Sequence, residues 1–325
     1  MHPIEKAYLF FYHRKKKKAL RNIKKLPFPV ISIGNITIGG TGKTPFTLSL
    51  AKELKKRGFI PIVLTRGYKG KHPGPILVTP QMKAEEVGDE PLMIAHCGYW
   101  VIKCADRYKG GLFALENFKF SKKDKVIFLV DDGFQHWRLY RDLNLLLIDG
   151  YRGFGNRKIF PFGPLRSPLS EIKEAHMVFI TKRENKELKE EISKNEIKDI
   201  YFIPLQILGI FDQEGNRINA EGKSIFAFSG IGNFESFIKT LKRLNLNIKG
   251  YKEFLDHKKY SERTIKRLIS IAKNAQLLVT TKKDFVKIKQ LETFIPNLHY
   301  IDIEFEIEEG IIDKILTHLN RIGEN

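Results

Sequence analysis

Along residues 29–182 the chain alternates short aliphatic runs with segments whose apolar positions recur every three or four residues. Short continuous apolar runs suit strands buried on both faces, and the three-four spacing suits amphipathic helices. Strands are predicted at 30–33, 60–65, 100–104, 125–130, 143–149 and 177–181, with helices at 44–57, 89–97 and 107–117. Gly58 supplies the stop signal for the first of these helices, and Pro45 falls in its first turn, where a missing N–H is harmless. This alternation predicts an α/β fold: a mostly parallel sheet covered by helices on both faces, with ligands at the carboxyl ends of its strands.

From about residue 183 the pattern changes. A polar, Lys/Glu-rich helix is predicted at 184–194, then an extended segment at 201–208 and a turn at 212–216. Alternation then resumes, with strands at 224–228, 248–254, 277–281 and 298–305 and helices at 233–244, 261–274, 284–290 and 308–321. A smaller second α/β lobe is expected, with its boundary somewhere in 183–222. The working division is an amphipathic, basic segment at 1–28, a core at 29–200 and a smaller lobe at 201–325. Ser229-Gly230-Ile231-Gly232-Asn233 is similar to the start of a dinucleotide fingerprint, but Glu235 stands at the third glycine position, so it reads as a tight turn.

A chain of 325 residues with 42% hydrophobic positions has room for two ordinary cores. Two cysteines, Cys97 and Cys104, make no disulfide framework and match no common zinc spacing, so they read as small buried apolar residues. The net charge of +20 is uneven, since residues 1–52 hold eleven Lys/Arg and a single acid, Glu5. Its centre, HRKKKKALRNIKK at 13–25, follows the aromatic cluster YLFFY at 8–12. Rings beside lysines suit a segment lying at an anionic membrane surface. A basic stretch also suits nucleic acid, or a solvated helix face, and composition leaves all three open. No apolar run reaches the ~18 residues that span a bilayer, and no signal-peptide core with a cleavage site follows the start.

The chemistry concentrates where strands are predicted to end. At 31–46 the chain reads ISIGNITIGGTGKTPF. A glycine-rich loop between a strand and a helix N-terminus turns backbone N–H groups onto an anion. Gly39, Gly40, Thr41, Gly42, Lys43 and Thr44 would line a nucleotide-phosphate loop, with Lys43 on the terminal phosphates and the Thr44 hydroxyl on their metal. The usual G-x-x-x-x-G-K-[ST] pattern is incomplete, because Thr37 occupies its first glycine. Asp131 and Asp132 follow a buried run, where a P-loop protein places a Mg²⁺ ligand. One of them would hold the ion directly or through water, the alternative being a capped Asp-Gly turn. Asp89 and Glu90 open a predicted helix, either as its cap or as a general base and a metal ligand. His257, after Asp256, is either structural or the partner of a carboxylate. Arg66, Arg107 and Arg166 lie in or near loops after strands and suggest a second anionic group besides ATP.

These motifs together resemble the tetraacyldisaccharide 4′-kinases, the lipid A 4′-kinases of Gram-negative bacteria. The resemblance is carried by IGNITIGGTGKTP (33–45), TRGYKG (65–70), GDEP (88–91), DRYKGG (106–111), DDGFQH (131–136), RDLNLLLID (141–149), PFGPLRSP (161–168), FSGIGN (228–233), FLDHKKY (254–260) and TTKKD (280–284), in family order over roughly 30–285. The departure at Thr37 is itself similar to the family form GN-x₄-GG-x-GKT.

The resemblance implies a P-loop NTPase-like core, a smaller second lobe and transfer of the γ-phosphoryl group of ATP, with Mg²⁺, to the 4′-hydroxyl of a tetraacyldisaccharide 1-phosphate. It implies Thr44, Glu90 and Asp131 on the metal, with Asp132 in the same set or ordering it. Lys43 would sit on the phosphates, and Asp89 would accept the hydroxyl proton with His257 as its partner. Arg66, Tyr68, Arg107, Gln135, His136 and Arg166 would bind substrate. The expected partners are the lipid and the anionic inner-membrane surface, at its cytoplasmic face, with peripheral or monotopic docking by the N-terminal segment. Neither nucleic acid nor an obligate protein partner is expected. The competing reading is a P-loop NTPase acting on nucleic acid or on a small-molecule acceptor.

Overall fold

In the computed structural model, which describes residues 2–121, 123–291 and 295–323, the apolar runs of the first half become strands of one sheet. They are β1 (Val30–Gly34), β2 (Phe59–Thr65), β3 (Ile76–Leu77), β4 (Trp100–Lys103), β5 (Lys125–Asp131), β6 (Leu143–Asp149), β7 (Met177–Thr181) and β8 (Ile200–Ile203). The order is β3-β4-β2-β5-β1-β6-β7-β8. Every pairing is parallel except that of the two-residue edge strand β3 with β4. A strand this short leaves no periodicity to read, and the sequence did not predict it.

Side chains alternate between two buried faces, which is why these strands read as continuous apolar runs. Ile31, Ile33, Val63, Leu129, Leu145 and Phe179 face one layer. Val30, Leu64, Phe128 and Val130 face another, together with α5 (Arg107–Asn117). The remaining first-lobe helices are α1 (Pro3–Leu20), α2 (Lys43–Lys56), α3 (Ala84–Val87), α4 (Asp89–His96) and α6 (Lys186–Ser193). In α1, Tyr12 and Ala19 pack with Trp137, and Lys16 reaches Glu171 at 2.9 Å and Glu174 at 3.0 Å.

The predicted extended segment at 201–208 is two strands, divided at Pro204, which has no N–H to continue a ladder. β8 closes the first sheet, and β9 (Leu205–Phe211) enters a second. The second sheet adds β10 (Arg217–Ile218), β11 (Ser224–Ser229), β12 (Asn247–Glu253), β13 (Leu277–Thr281) and β14 (Leu298–Phe305), in the order β10-β9-β14-β13-β11-β12. β9 runs antiparallel to both β10 and β14, and the others are parallel. Helices α7 (Phe234–Lys242), α8 (Glu262–Ile271) and α9 (Lys282–Ile288) complete this lobe. The Ser229–Asn233 segment is a turn: the fully buried Asp284 carboxylate accepts from Ser229 Oγ at 2.8 Å and Gly230 N at 2.9 Å.

The chain crosses between lobes a second time after Phe305. The final helix, α10 (Glu309–Gly323), returns to the first sheet, where Ile311, Ile312, Ile315 and Leu319 share a core with Ile31, Phe46 and Leu145. By packing, residues 309–319 therefore sit with the first lobe, and position 200 lies inside its edge strand.

Candidate active site

The glycine-rich loop runs from β1 into α2. Gly39 and Gly42 take φ of 114° and 91°, backbone that side-chain-bearing residues rarely adopt. At Gly42, a Cβ would also meet the Phe305 ring at 2.7 Å. The loop is braced from beneath. Asn35 is fully buried and donates to Thr41 Oγ1 at 3.1 Å, Thr181 Oγ1 donates to Thr41 O at 3.1 Å, and Lys182 Nζ donates to Gly40 O at 2.6 Å. The first N–H groups of α2 have no partner within the helix, so they remain available to an anion. Beside the loop, a cavity of about 240 Å³ is lined by its backbone and by Asp149, Arg152, Gly153 and Gly155.

At the end of β5, Asp131 accepts from Thr44 Oγ1 at 3.0 Å and from Thr47 Oγ1 at 3.2 Å. Burial, with the neighbouring Asp132 charge, pushes its carboxyl up to about 6. Asp132 has the opposite fate. Although burial opposes ionisation, Lys43 and Arg166 hold its carboxyl well below the usual range. Arg166 forks onto it, with Nη1 at 3.1 Å from Oδ2, and also donates to the Asn35 carbonyl. Lys43 Nζ lies 3.7 Å from Asp132. Asp132 thus faces two cations, with its side chain still 45% exposed.

The second acidic pair opens α4. Asp89 Oδ2 lies 3.1 Å from His257 Nδ1, 3.2 Å from Lys287 Nζ and 3.8 Å from Lys283 Nζ. Burial would raise its carboxyl, but the His257 hydrogen bond and the two lysines bring it down to about 2. Glu90 Oε1 accepts from Lys283 at 2.7 Å, while its Oε2 is buried with no hydrogen-bond partner. His257, with φ 61°, sits in the loop after β12, and both lysines are on α9. The first lobe therefore supplies the carboxylates, and the second supplies the cations and the imidazole.

Other expected residues are placed unevenly. Tyr68 is exposed, with its ring edge-on to His257 at 5.2 Å. Arg66 is exposed at the end of β2. Arg107 is buried, donates to Ala105 O at 2.9 Å and is drawn down to about 10 by burial. His136 is driven to about 3 by burial and by Arg107, so it is neutral at physiological pH. Gln135 acts as a brace, donating to Asn35 O at 2.7 Å and Ser167 Oγ at 2.9 Å. Sequence reasoning missed Lys283, Lys287 and Asn35 as site residues. The two lysines stand four apart just after a predicted strand, a spacing that puts both on one helix face.

The described residues contain no group of three or more His, Cys, Asp or Glu that could hold a metal alone. Mg²⁺ asks for less. It keeps waters and takes one or two carboxylates plus phosphate oxygens. Thr44 beside Asp131, and the unpartnered Glu90 Oε2, are oxygen donors of the type it takes.

A family model described as Tetraacyldisaccharide-1-P 4′-kinase matches residues 1–320. Tetraacyldisaccharide 4′-kinase of Desulfotalea psychrophila is 36% identical over 83% of this chain and 81% of its own. The Aquifex aeolicus protein of the same name is 36% identical over 93% and 91%. A crystal structure of LpxK from Aquifex aeolicus in complex with ATP superimposes with a TM-score of 0.76, at 31% identity, covering 98% of this chain and 97% of that one.

Proposed function

The chain belongs to the tetraacyldisaccharide-1-P 4′-kinase family, and from that membership we propose how its own residues divide the work. The enzyme is an ATP-dependent phosphotransferase that moves the γ-phosphoryl group to the 4′-hydroxyl of tetraacyldisaccharide 1-phosphate in lipid A biosynthesis.

Backbone N–H groups of 39–44 and the Lys43 ammonium bind the β- and γ-phosphates, with the rest of the nucleotide in the adjoining cavity. Thr44, Asp131 and Glu90 would hold Mg²⁺, which when bound would neutralise charge on the phosphate oxygens. Burial pulls the Lys43 ammonium down from its ordinary value, and Asp132, held ionised by Arg166, offsets part of that beside it.

Asp89 accepts the proton of the 4′-hydroxyl, oriented by His257 Nδ1 at 3.1 Å. A carboxyl near 2 is a weak base, but it is ionised at every physiological pH. Weak basicity suffices in phosphoryl transfer, where positioning and charge stabilisation outweigh proton removal. Lys283 and Lys287 orient Asp89 from the second lobe, which closes the cleft over the phosphates and excludes water. Tyr68, Arg66, Arg107 and His136 flank the acceptor side. Outside the cleft, α1 docks the enzyme on an anionic membrane: Phe10 and Phe11 are exposed ahead of exposed Lys15, Lys17 and Lys18. No helix of the described residues is long and apolar enough to cross a membrane.

The observation carrying this assignment is the 3.1 Å Asp89–His257 contact between the lobes. The test is transfer to detergent-dispersed tetraacyldisaccharide 1-phosphate, read by mass spectrometry. Wild type should add one phosphate, and Lys43→Ala and Asp89→Asn should lose that gain. ATP binding lost in Asp89→Asn would move Asp89 from the proton to the metal.

A further inference from the structure

Between β6 and the turn at 169–174, a loop holds two phenyl rings out of the protein. Phe160 is 51% and Phe162 39% exposed, while Ile159 beside them is buried as the loop's anchor. The loop is closely tied. Phe160 N donates to Leu165 O at 2.8 Å, Leu165 N to Lys158 O at 3.1 Å, and Asn156 Nδ2 to Phe162 O at 2.9 Å. Bridges from Leu165 to Ile159 and to Thr37 fasten it to the start of the phosphate loop. Rings kept outward by so many backbone bonds form a built surface.

That surface continues α1. The Phe162 ring lies 4.5 Å from the ring of His2, whose side chain caps α1. Ile4, two residues along, is exposed, as are Phe10 and Phe11 beyond it. Lys6, Arg14 and Lys15 of the same helix and Lys158 of the loop are exposed as well, while the acid Glu5 is buried. Apolar rings in a basic rim fit the boundary between headgroups and acyl chains of an anionic bilayer.

We propose that the 158–163 loop is a second lipid-contacting element, setting Phe160 and Phe162 into an anionic bilayer beside α1. This inference rests on membrane docking by α1. One helix lying on a surface can roll about its axis, and a second contact removes that freedom. Phe162 is four residues from Arg166, at most about 14 Å of extended chain. The loop therefore fixes the distance between the bilayer and the Arg166–Asp132 side of the cleft.

The test uses the full chain and vesicles of phosphatidylcholine mixed with phosphatidylglycerol. Wild type, Phe160→Ser/Phe162→Ser and Phe10→Ser/Phe11→Ser are compared by flotation, with thermal unfolding as a check on folding. Phe160→Trp is read with chain-brominated lipid. The expected result is a loss of partitioning of about tenfold for the loop double variant at unchanged unfolding temperature, and quenching of the introduced tryptophan. Wild-type partitioning in the loop variant, an unquenched tryptophan and a loss in the helix variant would overturn the loop's role and keep α1 docking. No partitioning by the wild type would overturn both.

Discussion

Asp131 sits where its own charge is opposed. It is buried, its neighbour is another carboxylate, and its compensation is the Lys43 charge and two hydroxyl donors. Its folded value of about 6 lies above the ordinary 3.8, so between these limits the folded protein holds a proton that the unfolded chain has released. The stabilisation is complete below pH about 4 and is lost as pH rises through about 6. Asp131→Asn should therefore raise the stability of the ligand-free enzyme at neutral pH, by about 1–3 kcal/mol, and abolish Mg-ATP turnover. Chemical denaturation at neutral and mildly acidic pH checks both halves, since the gain should shrink on acidification. A variant less stable than wild type at neutral pH would contradict the sign. Asp89 runs the other way. Its depressed carboxyl contributes stability above about pH 4 that is lost as pH falls toward 2, so its charge helps the fold and the site together. Asp89→Asn should lower turnover by about two orders of magnitude with ATP affinity nearly intact, as measured by calorimetry beside kinetics. The sequence places both acidic pairs by strand ends and helix starts. It holds no sign of which aspartate meets cations, because Arg166, Lys283 and Lys287 are brought there by long-range packing.

Among the elements, the phosphate loop shows what local pattern can and cannot carry. Strand, glycines, lysine and helix follow from residues 30–57 alone. Thr37 in place of the first glycine looks like a defect, yet Thr37 forms an antiparallel bridge with Leu165. The chain there is extended, and no positive φ is needed. Gly42 is the strict position. Its φ of 91° and the Phe305 ring at 2.7 Å from an added Cβ both exclude a side chain. Gly42→Ala should cost about 1–3 kcal/mol and weaken ATP binding far more than Gly40→Ala, where an added Cβ meets nothing within 4 Å. Denaturation and nucleotide titration of the two variants decide it, and equal effects would remove Phe305 from the account. Phe305 stands 263 residues after Gly42, and no sequence window joins them. The split at Pro204 is similar: the proline is visible, but the change of sheet it permits is a tertiary event.

At the scale of the whole molecule, two electrostatic devices can be separated by salt. The lobes are joined by two chain crossings, at Pro204 and after Phe305, and by the cluster of Asp89, Glu90, His257, Lys283 and Lys287. The cluster is largely buried, with Lys287 and Asp89 side chains only 7% and 12% exposed. The basic face of α1 is open to solvent. Raising salt from about 0.1 to about 1 M shortens screening from roughly 10 to roughly 3 Å, which acts on exposed charges far more than on buried pairs. Vesicle binding should therefore fall steeply over that range, while the arrangement of the lobes, followed by small-angle scattering, should barely change. Lys283→Met should do the reverse. It removes the 2.7 Å bridge to Glu90 but leaves Lys287 on Asp284, so the second lobe stays folded. Hydrogen exchange should rise in the loop at 254–258, turnover should fall, and vesicle binding should hold. An enzyme that opens with salt as readily as it leaves the membrane would show that the buried cluster does not hold the cleft, and closure would then rest on the bound nucleotide and lipid alone.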